Sequence, residues 1–263
     1  MIPQNKKRGR DEDKLKDDDD VNQIIPPMKT LYQDKDIFLE FRRYKDISGK
    51  HWIFESHAIS YFRNCRELTY LLALGRESHF ISEWLPQCVS KSERVFLSPD
   101  GHTFMSHVQL KLPQPFRNRN VSIKVHIGEL LHEPSHEPSH EPNNSSTKVI
   151  VNICNMTHSE LEKYPMSWEN GVRANILPST LILERVGHEC IRVTTNILAM
   201  PHPIINPPFS ILKRLAKYHV PLPKRIIDHQ VREVIPSQDI HSSVVYVMKK
   251  PSNQAFYSKY VHP

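Results

Sequence analysis

Glycine is scarce in this 263-residue chain, at 7 residues. No GxGxxG or Walker-type loop can be drawn from so few, which argues against a phosphate-cradling nucleotide site. There is no GxSxG elbow for a nucleophilic serine. No stretch approaches ~20 apolar residues, so no transmembrane helix is expected. The N-terminus carries no apolar segment of the secretory kind. The four cysteines, Cys65, Cys88, Cys154 and Cys190, form no CxxC pair. That spacing argues against a zinc ribbon or a thioredoxin-type site. A reducing compartment with free thiols is therefore expected, with the sequons at Asn143, Asn144 and Asn155 unused. No RNP-type aromatic motif or zinc finger is present, so nucleic acid is not an expected partner.

Proline is abundant instead, at 21 residues, and lysine plus arginine outnumber aspartate plus glutamate by 35 to 29. The resulting +6 balance suits anionic partners, including an anionic membrane surface. Residues 1–27 read as a disordered charged leader. They open with Lys6-Lys7-Arg8-Gly9-Arg10, end in Asp17 to Asp20 and Pro26-Pro27, and hold too little apolar surface to offset chain entropy. The basic cluster is either a nuclear-import address or part of a solvated tail.

Patterning starts near Lys29. Ile37 to Phe41 and His51 to Phe54 read as a hairpin about Ser48-Gly49. Ala58, Tyr61, Phe62, Cys65, Leu68 and Leu72 recur at helical spacing, and Phe80, Ile81, Trp84 and Leu85 suggest a second, short helix. Strands follow. Phe104, Ser106, Val108, Leu110 and Leu112 alternate with Met105, His107, Gln109 and Lys111. Val121 to Ile127, Val149 to Ile153, Val172 to Ile176, Thr180 to Arg185 and Ile191 to Leu198 continue the alternation. Period two with short connections predicts an antiparallel sheet with one buried face. Pro207-Pro208 then precede an amphipathic helix, with Phe209, Leu212, Leu215 and Ala216 on one side and Lys213, Arg214 and Lys217 on the other. Pro221 and Pro223 are expected to stop it. Arg225 to Ile235 can form another helix, Ser243 to Met248 an edge strand, and the last residues a polar tail.

The most conspicuous motif is misleading. His132-Glu133-Pro134-Ser135-His136 matches HExxH, and the match repeats through His140. A zinc peptidase needs those histidines one helical turn apart, and a proline inside that turn costs roughly 3 kcal/mol. Residues 131–146 are better read as a flexible HEPS-repeat insertion between strands. No metal site, catalytic residue or cofactor is expected. His107, Lys124, Glu184 and Arg192 alternate with apolar neighbours, which leaves two readings open: a solvated face, or polar groups in a ligand cavity.

Several strings resemble the START domain of lipid-transfer proteins. Trp84 to Val89 followed by Glu93 to Phe96 resembles that family's tryptophan-bearing helix end and strand. Val108 to Val121, with Pro113-Gln114-Pro115 and Asn118-Arg119-Asn120, looks like its strand, proline turn and Asn-Arg-Asp string, with Asn120 in place of aspartate. Glu184 to Gly187, and Ala199 to Pro208, resemble its late strands and proline-rich approach to the last helix. The resemblance implies an α+β helix-grip fold, a curved antiparallel sheet wrapped around a C-terminal helix and enclosing a lipid. Sterol-carrying members often bury a carboxylate–arginine pair. Here Lys124 lies near the basic position and Val108 where the acid would stand.

The expectation is thus a lipid-binding domain over residues 28–235, followed by a tail at 236–263. It would be a non-enzymatic, intracellular carrier of one hydrophobic ligand, cytoplasmic, nuclear or peripheral to a membrane. The cavity would include His107, Lys124, Glu184, Arg192, Phe209 and Leu212. Lys213, Arg214 and Lys217 would touch an anionic membrane. Two alternatives remain. One is a helix-grip cyclase or hydrolase using His107, His126 and Glu184. The other is an interaction protein acting through the leader.

Overall fold

The computed structural model describes residues 25–62, 76–112, 117–130, 148–168, 170–186, 190–200, 208–239 and 241–261. The leader up to residue 24, the HEPS repeat, the Pro113 to Phe116 turn, and Cys65, Leu68 and Leu72 lie outside the described residues.

Eleven strands form one sheet: β1 (Lys29–Gln33), β2 (Ile37–Lys45), β3 (Trp52–Phe62), β4 (Val89–Leu97), β5 (Thr103–Leu110), β6 (Arg119–Leu130), β7 (Lys148–Asn155), β8 (Val172–Arg173), β9 (Asn175–Ile176), β10 (Ser179–Arg185) and β11 (Ile191–Met200). The order is β1-β2-β3-β11-β10-β7-β6-β5-β4. Pairing along this path is antiparallel; the two-residue β8 lies parallel beside β6, and β9 pairs with β11. β11 returns to β3 over Phe54–Phe62 and so joins the N-terminal hairpin to the other strands.

Register makes one face continuous. Phe104, Val108, Val125, Ile127, Val149, Val151, Leu183, Ile191, Val193 and Phe62 point to the same side and are buried. Helices fill that side. A 3-10 turn (Ser78–Phe80) leads into α1 (Ile81–Trp84), as the aromatic spacing predicts. α2 (His158–Lys163) instead lies on the opposite face, where Glu160 meets Lys124, and has a complete capping box from Thr157 and Glu160. After Pro208 come α3 (Phe209–His219), α4 (Pro221–His229), a π-helical turn (Gln230–Val234) and α5 (Ile235–Ser237), ended by Gln238 at φ 54°. α6 (Ser243–Lys249) and α7 (Pro251–Val261) complete the chain's described part. Ile227, Val231, Val244, Val247 and Phe256 join the sheet's buried row in one core.

Three expectations are corrected. Ala58, Tyr61 and Phe62 lie in strand β3, not in a helix. Their helical spacing is incidental. The inward row of β3 is Phe54, Ser56, Ala58, Ser60 and Phe62, and its small polar members hide the alternation, while ladders on both sides hold the strand. Pro221 and Pro223 do not stop the C-terminal helix. Val220 stays helical at φ −66°, ψ −43°, and Pro221 opens α4 in the first turn, where no N–H is needed. Ser243 to Met248 is helical, not an edge strand. Its valines have strand propensity, but burying Val244, Val245 and Val247 in the core outweighs it. The segment read as a polar tail likewise places Phe256 in the core.

Candidate functional site

A flat sheet of nine strands would separate its edges, β1 and β4, by roughly 38 Å at ~4.8 Å per step. Instead Leu31 of β1 and Cys88, Leu110, Lys111 and Leu112 at the β4–β5 edge line one cleft. The sheet therefore curls until its edges face each other, and α3 spans the opening. Leu212, Leu215, Ala216, His219 and Val220 form the roof. The cleft has a volume of about 370 Å³. Its walls are mostly aliphatic, and burial pushes the Cys88 thiol above its usual pKa.

The amphipathic pattern of α3 explains this placement. Phe209, Leu212, Leu215 and Ala216 face the sheet, while Lys213, Arg214 and Lys217 are exposed. Ile211 and Tyr218 are also exposed on this helix. Phe209 lines a second, smaller cleft of about 160 Å³ with Pro26, Pro27, Lys29, Phe41, Arg42 and Arg43. Phe209 and Leu212 thus line separate clefts under the same face of the helix.

The four polar residues expected to share the cavity stand on the sheet's other face. Each alternates with an inward apolar residue. His107 is fully buried. Its Nε2 donates to the Tyr164 carbonyl at 2.9 Å and its Nδ1 meets the Ser122 hydroxyl at 2.8 Å, with Trp168 edge-on to the ring. These bonds fasten the segment after α2 to the outside of the sheet. Lys124 reaches Glu160 at 2.7 Å, and that bond raises the Lys124 pKa and holds Glu160 below the usual carboxylate range. Glu184 lies between Lys148, at 3.1 Å, and Arg192. Burial pushes Glu184 up, but hydrogen bonds from Arg192 and Lys148 outweigh it and leave it lowered. His126 is exposed and bonds Thr103 at 2.9 Å. The three groups an enzyme would need together, His107, His126 and Glu184, sit on three different strands of the outer face.

The inward polar groups are different residues. Arg94 lies opposite Ser106 on the inner face and binds Glu77 at 3.0 Å and the Arg76 carbonyl at 2.6 Å. Ser78 bonds Ser106, and Ser92 bonds Ser82 at 3.0 Å. The Glu77 side chain is 7% exposed and that of Arg94 19%. From Leu110 at the cleft, this cluster is four residues, about 13 Å, inward along β5. A carboxylate–guanidinium pair with a buried Glu77 and a partly buried Arg94 therefore exists, built from neither Lys124 nor position 108. Nothing in the spacing of Glu77 and Arg94 announces it; β4 carries bulges that break its alternation.

No model of a known family matches this sequence, and no curated protein matches it. Solved structures do. Human STARD10 aligns at a TM-score of 0.54 with 11% identity, over 81% of this chain and 76% of its own. Human StAR-related lipid transfer protein 5 gives 0.51 with 10% identity, over 80% and 86%. A STAR-related lipid transfer protein from Xanthomonas axonopodis gives 0.50 with 15% identity, over 78% and 99%. This is a START-like, helix-grip fold. The curled sheet and the α3–α5 run are its grip and helix, and the START-like interior has an apolar mouth and a polar cluster deeper in.

Proposed function

We propose that this START-like chain binds one lipid beneath α3 and carries it between membranes without catalysis. The observation that carries the reading is the aliphatic cleft where the two sheet edges meet under an amphipathic helix. Its volume is at the low end of the ~300–1,000 Å³ usual for ligand sites. A full lipid therefore needs α3 to swing outward. The hinge would be Val220 to Pro223, where α3 gives way to α4 and the two first-turn prolines donate no N–H back to α3. Each buried methylene contributes about 0.8 kcal/mol, so apolar burial alone supplies affinity. The neighbours named as lipid transfer proteins support the ligand class. Lys213, Arg214 and Lys217 would each add about 1 kcal/mol at an anionic surface. Such a carrier works in the cytoplasm or at a membrane's periphery; no helix among the described residues is long and apolar enough to cross one.

The test is the intact mass of natively purified protein under gentle and denaturing conditions, with lipid extraction alongside. A stoichiometric hydrophobic passenger that is lost on denaturation is the expected result. An empty protein that also takes no lipid from liposomes would sink the proposal.

A further inference from the structure

The β2–β3 hairpin presents an isoleucine that no described residue packs against. Ile47 is 96% exposed, the most exposed of the large hydrophobic residues described. Its position is held rigidly. Asp46 N–H donates to the His51 carbonyl at 2.9 Å, and Gly49 N–H donates to the Asp46 carbonyl at 2.8 Å. The Asp46 carboxylate accepts from the backbone of Lys50 at 3.0 Å and His51 at 3.1 Å, and from the Ser48 hydroxyl at 2.9 Å. The His51 bond leads in drawing the Asp46 pKa below its usual range. Gly49, at φ 69°, supplies the left-handed position that closes the turn. Ile47 and Ser48 are left as the turn's two central residues, and nothing in such a turn calls for an aliphatic side chain.

The neck of the hairpin is aromatic and basic. Lys45 Nζ lies 4.7 Å, and the Arg43 guanidinium 5.8 Å, from the centre of the Trp52 ring. Lys50 is exposed beside the tip. Arg43 also lines the small cleft against Phe209, so the neck adjoins the start of α3. From Phe209 to Ile227 the chain has five lysines and arginines and no acidic residue.

We infer that the β2–β3 hairpin is a membrane anchor: Ile47 inserts among the lipids of an anionic bilayer, Trp52 lies at the headgroup level, and Lys45 and Lys50 meet phosphates. An apolar tip above a tryptophan and a cationic collar matches the depth order of a membrane interface. Because the turn is already ordered, insertion costs little conformational entropy. Arg43 and Phe209 place the anchor beside the first turn of the lid, so the hairpin would hold the bilayer against the mouth of the START-like cavity. The inference shares with the proposed function only the choice of a membrane as partner.

The experiment uses the full chain and vesicles of phosphatidylcholine, with and without phosphatidylserine, read by sedimentation and by quenching of tryptophan fluorescence with brominated lipid. Ile47→Asp should weaken partitioning about tenfold, Ile47→Leu should restore it, and Lys50→Glu should reduce the dependence on phosphatidylserine. Trp52→Phe should remove most of the quenching, since Trp84 is buried and Trp168 lies against His107 on the sheet's outer face, away from the hairpin tip. Ile47 lines neither cleft, so Ile47→Asp should keep its passenger in native mass spectra. Wild-type partitioning by Ile47→Asp, or quenching that survives Trp52→Phe, would overturn the anchor. If only the charge reversal Lys213→Glu/Arg214→Glu/Lys217→Glu abolishes vesicle binding, the anchor fails while the carrier reading stands. Loss of the passenger reading with vesicle binding still dependent on Ile47 supports the anchor alone.

Discussion

The two ends of the gripped space are built on the same sheet face and filled in opposite ways. At the α4–α7 end, Ile227, Val231, Val244, Val247 and Phe256 enter between Phe62, Phe104, Val149 and Leu183 and leave a close-packed core. At the α3 end Leu212, Leu215, Ala216, His219 and Val220 stand over Leu31, Cys88, Leu110 and Leu112. A cleft remains there. One end stabilises the fold, and the other leaves the space that the proposed lipid would enter. The difference lies in which helix faces the sheet, not in the sheet.

The largest effect should come from breaking the filled end. Phe256 is 5% exposed, packs edge-on to His102 at 5.2 Å between ring centres, and lies 4.4 Å from the Arg76 guanidinium. Phe256→Ala should destabilise the protein by about 3–5 kcal/mol in urea unfolding. A loss under about 1 kcal/mol would show that α7 is peripheral, and the filled end would lose half its meaning.

Next comes the polar cluster between the two ends. Glu77→Gln leaves Arg94 largely buried beside a neutral partner, at a cost of roughly 3 kcal/mol. Restoring stability in Glu77→Gln/Arg94→Met would confirm that the penalty is the orphaned guanidinium and not a lost shape. If the single variant is as stable as wild type, water already reaches the pair and the interior is wetter than the side-chain exposures indicate.

The open end should behave in the reverse sense. Leu215→Trp adds bulk where there is space, so its effect on stability should stay within about 1 kcal/mol. Passenger content in native mass spectra should fall sharply. A variant that unfolds would mean the cleft is already packed; one that keeps its passenger would move the ligand elsewhere. Leu212→Ala sharpens the contrast, enlarging a space that is already there, with little change in melting temperature.

How far these two ends could be read from sequence follows from what period two can and cannot show. Alternation located β5, β6, β7, β10 and β11 and their apolar row, because most inward residues there are aliphatic or aromatic, with Ser106 and Thr195 among the exceptions. It failed at β3, where serines occupy the inward positions. It also left the residues between the apolar ones, His107, Lys124, Glu184 and Arg192, open to two readings, a solvated face or the polar groups of a cavity. Parity puts them outside: a residue adjacent in a strand to a core residue is on the opposite face. Glu77 and Arg94 were out of reach because they meet from a 3-10 approach and a bulged strand. The α3 pattern was legible from its aliphatic stripe and basic face. What it roofs was not, since that depends on the curl bringing β1 to β4. The valines of α6 misled because local propensity is weak against burial.

Acid offers the finest test, because the inner and outer polar groups should respond in different pH ranges. His79 stands beside the inner cluster, with its Nδ1 3.8 Å from Glu77. Burial, then the charge of Arg94, pushes its pKa below the ordinary 6.5. An unfolded chain therefore takes up a proton near pH 6.5 that the folded protein refuses, and stability falls as pH drops below that value. Glu160 and Glu184, on the outer face, are held below the ordinary 4.5 by Lys124 and by Arg192 with Lys148. Their contribution is complete at neutral pH and is lost as pH falls from about 4.5 through the lowered values. His79→Gln should flatten the loss that sets in below about pH 6.5 and leave the acid limb intact. Glu184→Gln should lower stability at pH 7 by no more than about 1 kcal/mol, as partly exposed pairs do, with the gap closing below about pH 4. If both variants alter the same limb, the two faces do not titrate separately. The division of the sheet into a gripped interior and a fastened exterior would then need redrawing around whichever group moved.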